Sequence, residues 1–315
     1  MFVTRLNTTV YFLIPHNIHL LDLSGSVQVF QEAADLGAPY TIRFIGDQAR
    51  INSSAGLGLT GITPFAKVKV QATDIVIVPG CSVASIDRAP RAMLEWVATC
   101  YQKGITLCSI CTGAFLLAKA GVLNSKECTT HWRYTDELQK RYKALIVLRN
   151  KLYVKSGNVY TSAGIATGID LALFLLEERH GRRFASQVAK ELVVYIRREG
   201  SDAQQSIYLQ HRDHTDEKVH AVQDWIARNL SKKLSLDALA DIANTSPRNL
   251  TRIFKKETGL TVLQYQNTIR VEKAKSLLAS NHKLDYVAKL CGLNTAKHLR
   301  MLIQDSDTKS KAPRS

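Results

Sequence analysis

The hydrophobic pattern changes period once along this chain, and that change limits its architecture more than any other feature. As far as about residue 180, short apolar runs alternate with helical patterns; beyond it only helical spacing remains. The short apolar runs at 10–14, 40–45, 74–78, 105–110 and 159–162 suit buried strands. Candidate helices fall between them at 27–36, 91–103, 112–120, 136–142 and 165–178. This order predicts an α/β layer fold with a largely parallel sheet. Ligands in such folds sit beyond the carboxyl ends of the strands, here near 15–22, 80–82 and 111–113. From Phe184 a helical stretch to Arg198 leads into a polar segment, and everything after it reads as helix.

A chain of 315 residues suits two domains, expected at 1–200 and 216–315 with a linker at 201–215. Charge divides them. Before residue 181, 18 Lys and Arg stand against 13 Asp and Glu; after it, 24 stand against 14, so ten of the +15 formal charges fall in the shorter C-terminal part. A basic domain attracts polyanions, but charge alone does not separate nucleic acid from an anionic membrane or a solvated face. The apolar run at 10–14 ends at Pro15, too short for a signal peptide, and no stretch has the length of a membrane helix. The expected location is therefore the cytoplasm, with no membrane partner. Six scattered cysteines (81, 100, 108, 111, 128 and 291) are expected to stay reduced.

Residues 236–243 form a short amphipathic helix, 244–246 a turn, and 247–257 a second helix with Ser246 as N-cap and Pro247 at its first position. Leu250, Ile253 and Phe254 would face a core, leaving Arg248, Asn249, Thr251, Arg252, Lys255 and Lys256 outside. Side chains near the start of such a helix can reach base edges in a major groove, and the two lysines suit phosphates. A merely solvated helical pair fits this stretch equally well. A second copy tips the balance: 285–291, 292–294 and 295–304 repeat helix, turn and helix, with Lys297, His298 and Arg300 on the last, and a long helix at 262–279 lies between the copies.

The matching residues Leu239-Ala240, Ser246-Pro247-Arg248-Asn249-Leu250, Arg252-Ile253-Phe254-Lys255, Thr258-Gly259-Leu260, Tyr265, Arg270, Ala274, Leu277-Leu278, Val287-Ala288 and Cys291-Gly292 resemble the AraC/XylS family of transcription regulators. That resemblance implies two helix-turn-helix units joined by a long helix. The family's closing Gly-x-Ser-Pro-x-x-Tyr-Arg segment is replaced by Leu302-Ile303 and a polar stretch at 305–315 that is expected to fray.

In the first part, Cys111 follows a strand and opens a helix, where the helix terminus favours a lowered thiol pKa. Cys108 and Cys111 have Cys-x-x-Cys spacing, but Cys108 lies inside the strand and no second pair stands at ligand spacing, so no metal or cofactor is expected. Asp22 is read as a loop carboxylate, with capping of the helix at 27 as its ordinary alternative. His131 follows Thr129-Thr130, where an imidazole is more often structural than catalytic.

Leu21–Gly25, Val78-Pro79-Gly80, Cys111 to Leu117, Ala120 to Leu123, Thr129 to Trp132 and Thr161 to Asp170 together resemble the PfpI-type, glutamine-amidotransferase-like superfamily, with its flavodoxin-like layer fold. The branch most resembled includes isocyanide hydratases and the sensor domains of GlxA-type regulators. The resemblance implies a nucleophile-like Cys111 with Asp22 as its acid partner; Thr112 stands where the hydrolytic relatives carry a histidine.

The two resemblances joined imply a non-enzymatic regulator. Its first domain senses a small polar metabolite, such as an amino acid or amine, through Asp22, Gly80, Cys111, Thr112 and His131. Its second binds double-stranded promoter DNA, and a homodimer is expected mainly through the first domain. The competing class is a Cys-dependent hydratase or hydrolase with an attached helical domain.

Overall fold

The computed structural model describes residues 7–194, 198–200, 202, 204, 211–232, 235–279 and 282–311. The chain forms two compact units, Met1–Gln204 and Gln205–Ser315. The first runs β1 (Thr8–Leu13), α1 (Leu20–Asp35), β2 (Tyr40–Gly46), β3 (Ile51–Asn52), β4 (Gly58–Leu59), β5 (Thr63–Pro64), β6 (Ile75–Val78), α2 (Val83–Asp87), α3 (Arg91–Gln102), β7 (Thr106–Ile110) and α4 (Gly113–Lys119). It continues with β8 (Glu127–Cys128), α5 (Thr135–Arg141), β9 (Ile146–Val147), β10 (Tyr153–Ser156), β11 (Val159–Ser162), α6 (Thr167–His180) and α7 (Arg182–Glu191).

Seven strands form one sheet in the order β10-β11-β7-β6-β1-β2-β5. Every neighbouring pair is parallel except β10 with β11. Successive side chains of a strand point to opposite faces, and both faces are covered here. Val10, Phe12, Ile75, Ile77, Cys108 and Ile110 pack on one side with residues of α1, α6 and α7. Tyr11, Leu13, Val76, Val78 and Leu107 pack on the other with residues of α3, α4 and α5. The layered α/β fold expected from the apolar runs is thus present, and the double coverage explains why a central strand such as β6 shows no polar alternation.

Two helix boundaries differ from the sequence reading. The helix expected at 27–36 begins at Leu20, so Asp22 lies in its first turn rather than in a loop. Ser24-Gly25-Ser26 reads as a loop in sequence, but Gly25 is there for packing: a Cβ on it would stand 3.0 Å from Ile169 Cγ1 on α6. The helix expected from 184 to 198 ends at Glu191, and Val193 follows with φ 54°.

Of the expected linker 201–215, residues 201, 203 and 205–210 lie outside the described residues. At one end Gln204 Nε2 donates to the carbonyls of Thr130 and Lys151. At the other, Arg212 pairs with Asp224 at 2.5 Å and the His211 carbonyl accepts from Gln223.

The second unit is helical among its described residues: α8 (Glu217–Arg228), α9 (Leu236–Ile242), α10 (Pro247–Thr258), α11 (Val262–Ala279), α12 (Leu284–Leu290) and α13 (Ala296–Lys311). Two small cores share α11. Its first half contributes Val262, Tyr265 and Ile269 to a cluster with α8, α9 and α10. Its second half contributes Ala274, with Leu277 and Leu278 against it, to a cluster with α12 and α13. Helix α13 continues to Lys311, past the point where fraying was expected, propagating from Leu299, Leu302 and Ile303, which hold it to the second cluster; residues 312–315 lie outside the described residues.

Buried Arg270 on α11 fixes the loop after α8, donating to the Leu230 carbonyl from Nε at 3.1 Å and Nη2 at 3.0 Å. The turn before α13 meets the same loop. A Cβ on Gly292, which has φ 69°, would lie 2.7 Å from that carbonyl. Both helix-turn-helix units are therefore tied to one anchor.

Candidate functional site

The carboxyl ends of β1, β6 and β7 bring together four of the five residues expected at a ligand site. Cys111, one residue beyond β7, has φ 55°, a left-handed conformation that costs a non-glycine residue about 1–2 kcal/mol. Its N–H donates to the Ser162 carbonyl at 3.0 Å, and its own carbonyl accepts from Thr130 Oγ1 at 2.8 Å. These bonds on both sides of the residue hold the strained turn in place.

Asp22 is fully buried. Its Oδ1 accepts from the Ile165 N–H at 2.6 Å, and its Oδ2 lies 3.2 Å from His19 Nδ1. Gly80 and Gly164 make the crowding possible. A Cβ on Gly80 would stand 2.3 Å from Asp22 Oδ2 and 2.8 Å from Cys111 Cβ; one on Gly164 would stand 2.1 Å from Cys111 Cβ. The Thr112 hydroxyl is committed to the backbone, donating to the Cys81 carbonyl at 2.5 Å and accepting from the Cys81 N–H at 2.9 Å. His131 is half-buried, and its Nδ1 accepts from the Arg133 N–H at 3.3 Å.

The electrostatics reverse one sequence expectation. The Cys111 thiol is pushed up, not down: burial is the largest cause, and the neighbouring Asp22 carboxylate raises it further, against a hydrogen bond from the Thr112 backbone that lowers it. Helix α4 has seven residues and its first turn does not overcome desolvation of a thiolate that is 3% exposed. His131 is held below the usual imidazole range by burial first and Arg133 second, with Asp22 opposing. Among the described residues one group offers three metal-ligand atoms, His19, Asp22 and Cys111, all within 4.8 Å of one another. A thiol ligates as thiolate, which burial and Asp22 both disfavour here.

His19 was not singled out in the sequence, and Gly164 and Ile165 entered only within the stretch Thr161 to Asp170 that carries the resemblance, without a role at the site. The only signal for His19 was its place three residues before Asp22, legible once the helix is known to begin at Leu20.

Removing the Asp22 charge should lower the Cys111 pKa, because that carboxylate opposes the thiolate. Asp22→Asn, whose side-chain oxygen can still accept from Ile165, is therefore expected to alkylate faster with iodoacetamide at neutral pH. The measurement is the pH–rate profile at Cys111 read by peptide mass spectrometry. An unchanged or upward-shifted profile contradicts the assignment.

The second candidate surface lies on α10 and α13. Ser246 Oγ accepts from the Asn249 N–H and Pro247 opens α10, which ends at Gly259 with φ 73°. Leu250 and Phe254 are fully buried, so the opposite face of the helix is left to solvent. Arg248, Thr251, Arg252, Lys255 and Lys256 are exposed there, as are Lys297, His298 and Arg300 on α13. Asn249 is half-buried and engaged at both ends: Nδ2 donates to Thr245 Oγ1 at 2.8 Å, and Oδ1 accepts from Arg252 Nη2 at 2.9 Å. Asn249 thus steadies Arg252 across the helix face. Lys256 pairs with Glu257 at 2.9 Å.

Comparison with known proteins places both units. The DJ-1/PfpI family model matches residues 8–178, and a helix-turn-helix domain model matches residues 239–305. The chain is 28% identical over 297 residues to the HTH-type transcriptional regulator GbdR of Pseudomonas aeruginosa, covering 92% of this chain and 79% of that one. It is 31% identical over 181 residues to the isonitrile hydratase of Pseudomonas putida, covering 58% of this chain and 76% of that one. The fold is shared with a crystal structure of an AraC family transcriptional regulator from Pseudomonas putida, with a TM-score of 0.51 at 20% identity over 59% of this chain and 99% of that one.

Proposed function

This chain belongs to the DJ-1/PfpI family and carries an AraC-type helix-turn-helix domain at its C-terminal end, and from that premise we propose that it is a transcription regulator whose first domain senses a small polar metabolite. The observation that carries the reading is the pairing of a DJ-1/PfpI unit with two helix-turn-helix units, a combination matched across 92% of the chain by a protein named as a regulator. The hydratase-like match covers 58% of the chain.

The effector is received at the carboxyl edge of the sheet, in the neighbourhood of the cluster where Asp22, Gly80, Cys111 and Thr112 converge and His131 stands within electrostatic reach of Asp22. Double-stranded DNA is met by the exposed cationic faces of α10 and α13. The cytoplasm is the location consistent with this role; no helix among the described residues is long and apolar enough to cross a membrane. Genome-wide mapping of bound sites in the native host tests the reading. Discrete peaks upstream of a few operons support it, and uniform coverage without a shared motif overturns it.

The working form is a homodimer joined through the first domain, since tethering two modest readers multiplies their affinity. Leu21, Trp132 and Ile165, all exposed on segments flanking the Asp22–Cys111 cluster, supply apolar surface for that contact. Sedimentation velocity at micromolar concentration should give twice the chain mass. A monomer both with and without DNA contradicts the dimer.

A further inference from the structure

We propose that a cavity beside the Cys111 cluster, between the loops that follow β1 and β6, is a pocket for a small aliphatic carboxylate. The proposal rests on the sensing role given to the first domain and adds the location and charge of the group received.

The sheet order supplies the first argument. From β1 the chain builds outward to β2 and β5 on one side, and from β6 to β7 and β11 on the other. The order therefore reverses between β1 and β6. The segments leaving these strands lead to helices on opposite faces, α1 on one and α3 on the other. A crevice opens where such connections part, and ligands of open α/β sheets bind there. A cavity of about 270 Å³ lies at this point, lined by Pro15 to Asn17 from the β1 side and by residues from Ser85 to Met93 from the β6 side. None of the five residues of the Cys111 cluster lines it; a backbone bridge between Ile18 and Cys81 stands beside it. The side chain of Asn17 donates to Ser85 Oγ at 3.0 Å and ties the two walls together.

The lining supplies the second argument. Pro15, Ile86 and Met93 are buried and give the cavity one apolar side, which suits a short hydrocarbon body, beside the polar Asn17 and Ser85. The charge at the wall is positive and uncompensated. Arg88 is exposed and its side chain has no ion pair or hydrogen-bond partner among the described residues, while its neighbour Asp87 is taken by Arg141 at 2.9 and 3.1 Å. The imidazole of the lining, His16, is engaged by Asp47 at 3.1 Å. A cavity with one apolar side and one free guanidinium at its wall suits an aliphatic carboxylate, because the guanidinium fork fits carboxylate geometry and the apolar side covers the hydrocarbon.

The chain has three methionines, Met1, Met93 and Met301, so methyl-labelled methionine reports on this cavity through Met93 and on the second unit through Met301. The full-length protein is titrated with sodium butyrate and, separately, with butyramide, with the Met93 signal assigned from Met93→Leu. Butyrate is expected to move the Met93 resonance saturably while Met301 stays still, and butyramide to leave both in place. Arg88→Gln, an exposed substitution whose fold is checked by an unchanged Met301 signal, should weaken butyrate binding about tenfold, the order expected for a lost charge-assisted contact. A Met93 signal that does not answer butyrate, that answers the amide equally, or that keeps its affinity in Arg88→Gln overturns the pocket. A chain that fails this test yet selects a DNA motif loses the pocket and keeps the regulator role; a chain that answers butyrate but selects no motif does the opposite.

Discussion

Gly164→Ala should destabilise the first domain by about 4 kcal/mol and lower its melting temperature by roughly 10 °C. Two costs combine at this position. Gly164 has φ 92°, which an alanine adopts only with strain, and its Cβ would lie 2.1 Å from Cys111 Cβ and 2.8 Å from Cys111 Sγ. Cys111 cannot retreat, since its backbone is bonded to Ser162 on one side and Thr130 on the other. The neighbouring Ile165 N–H, which holds Asp22, would be displaced with it. Gly104→Ala is the control, because Gly104 also has a positive φ, 75°, but open space where the Cβ would go; it should cost only about 1 kcal/mol. Differential scanning calorimetry of the two variants separates strain from crowding. Equal effects from both would mean that the tight packing around Cys111 is not what Gly164 serves.

Arg252→Ala should weaken binding to the cognate DNA sequence by about 1–3 kcal/mol and relax preference at one base pair, as loss of a bidentate base contact does. Arg252 is exposed one turn into α10 and is steadied by Asn249, so its guanidinium meets DNA with part of its rotamer freedom already removed. The first helix-turn-helix is expected to carry most of the base discrimination. Lys297→Ala, on α13, should instead weaken binding evenly across sequences and flatten the salt dependence by about one phosphate contact. Gel-shift titrations on cognate and scrambled duplexes over a range of salt concentrations check both. If Lys297→Ala loses base preference while Arg252→Ala keeps it, the second unit is the principal reader.

The parts of this fold legible in the sequence are those decided locally. Strands such as Ile75–Val78, buried on both faces, announce themselves as unbroken apolar runs, and α10 carries its own start and stop in Ser246-Pro247 and Gly259. Two-residue strands such as Ile51–Asn52 and Glu127–Cys128 carry no period and were not legible. The start of α1 was hidden because Gly25 answers to a helix distant in sequence, and a glycine placed by packing looks like one placed by a turn. Cys111 and Asp22 could be singled out as a pair from their family context. The raised thiol could not, because it depends on burial and on a carboxylate 89 positions away in sequence. The basic residues of α10 and α13 were legible as charges, whereas the service of Asn249 to Arg252 appears only with side chains in place.

Selection of bound duplexes from a random pool by the full-length protein, followed by sequencing, tests the central claim most directly. The account predicts enrichment of a defined motif, its recovery unchanged in Gly104→Ala, and a specific loss of information at one position when Arg252→Ala is used. A pool that binds without enrichment of any motif, or that is not retained at all near physiological salt, would contradict it.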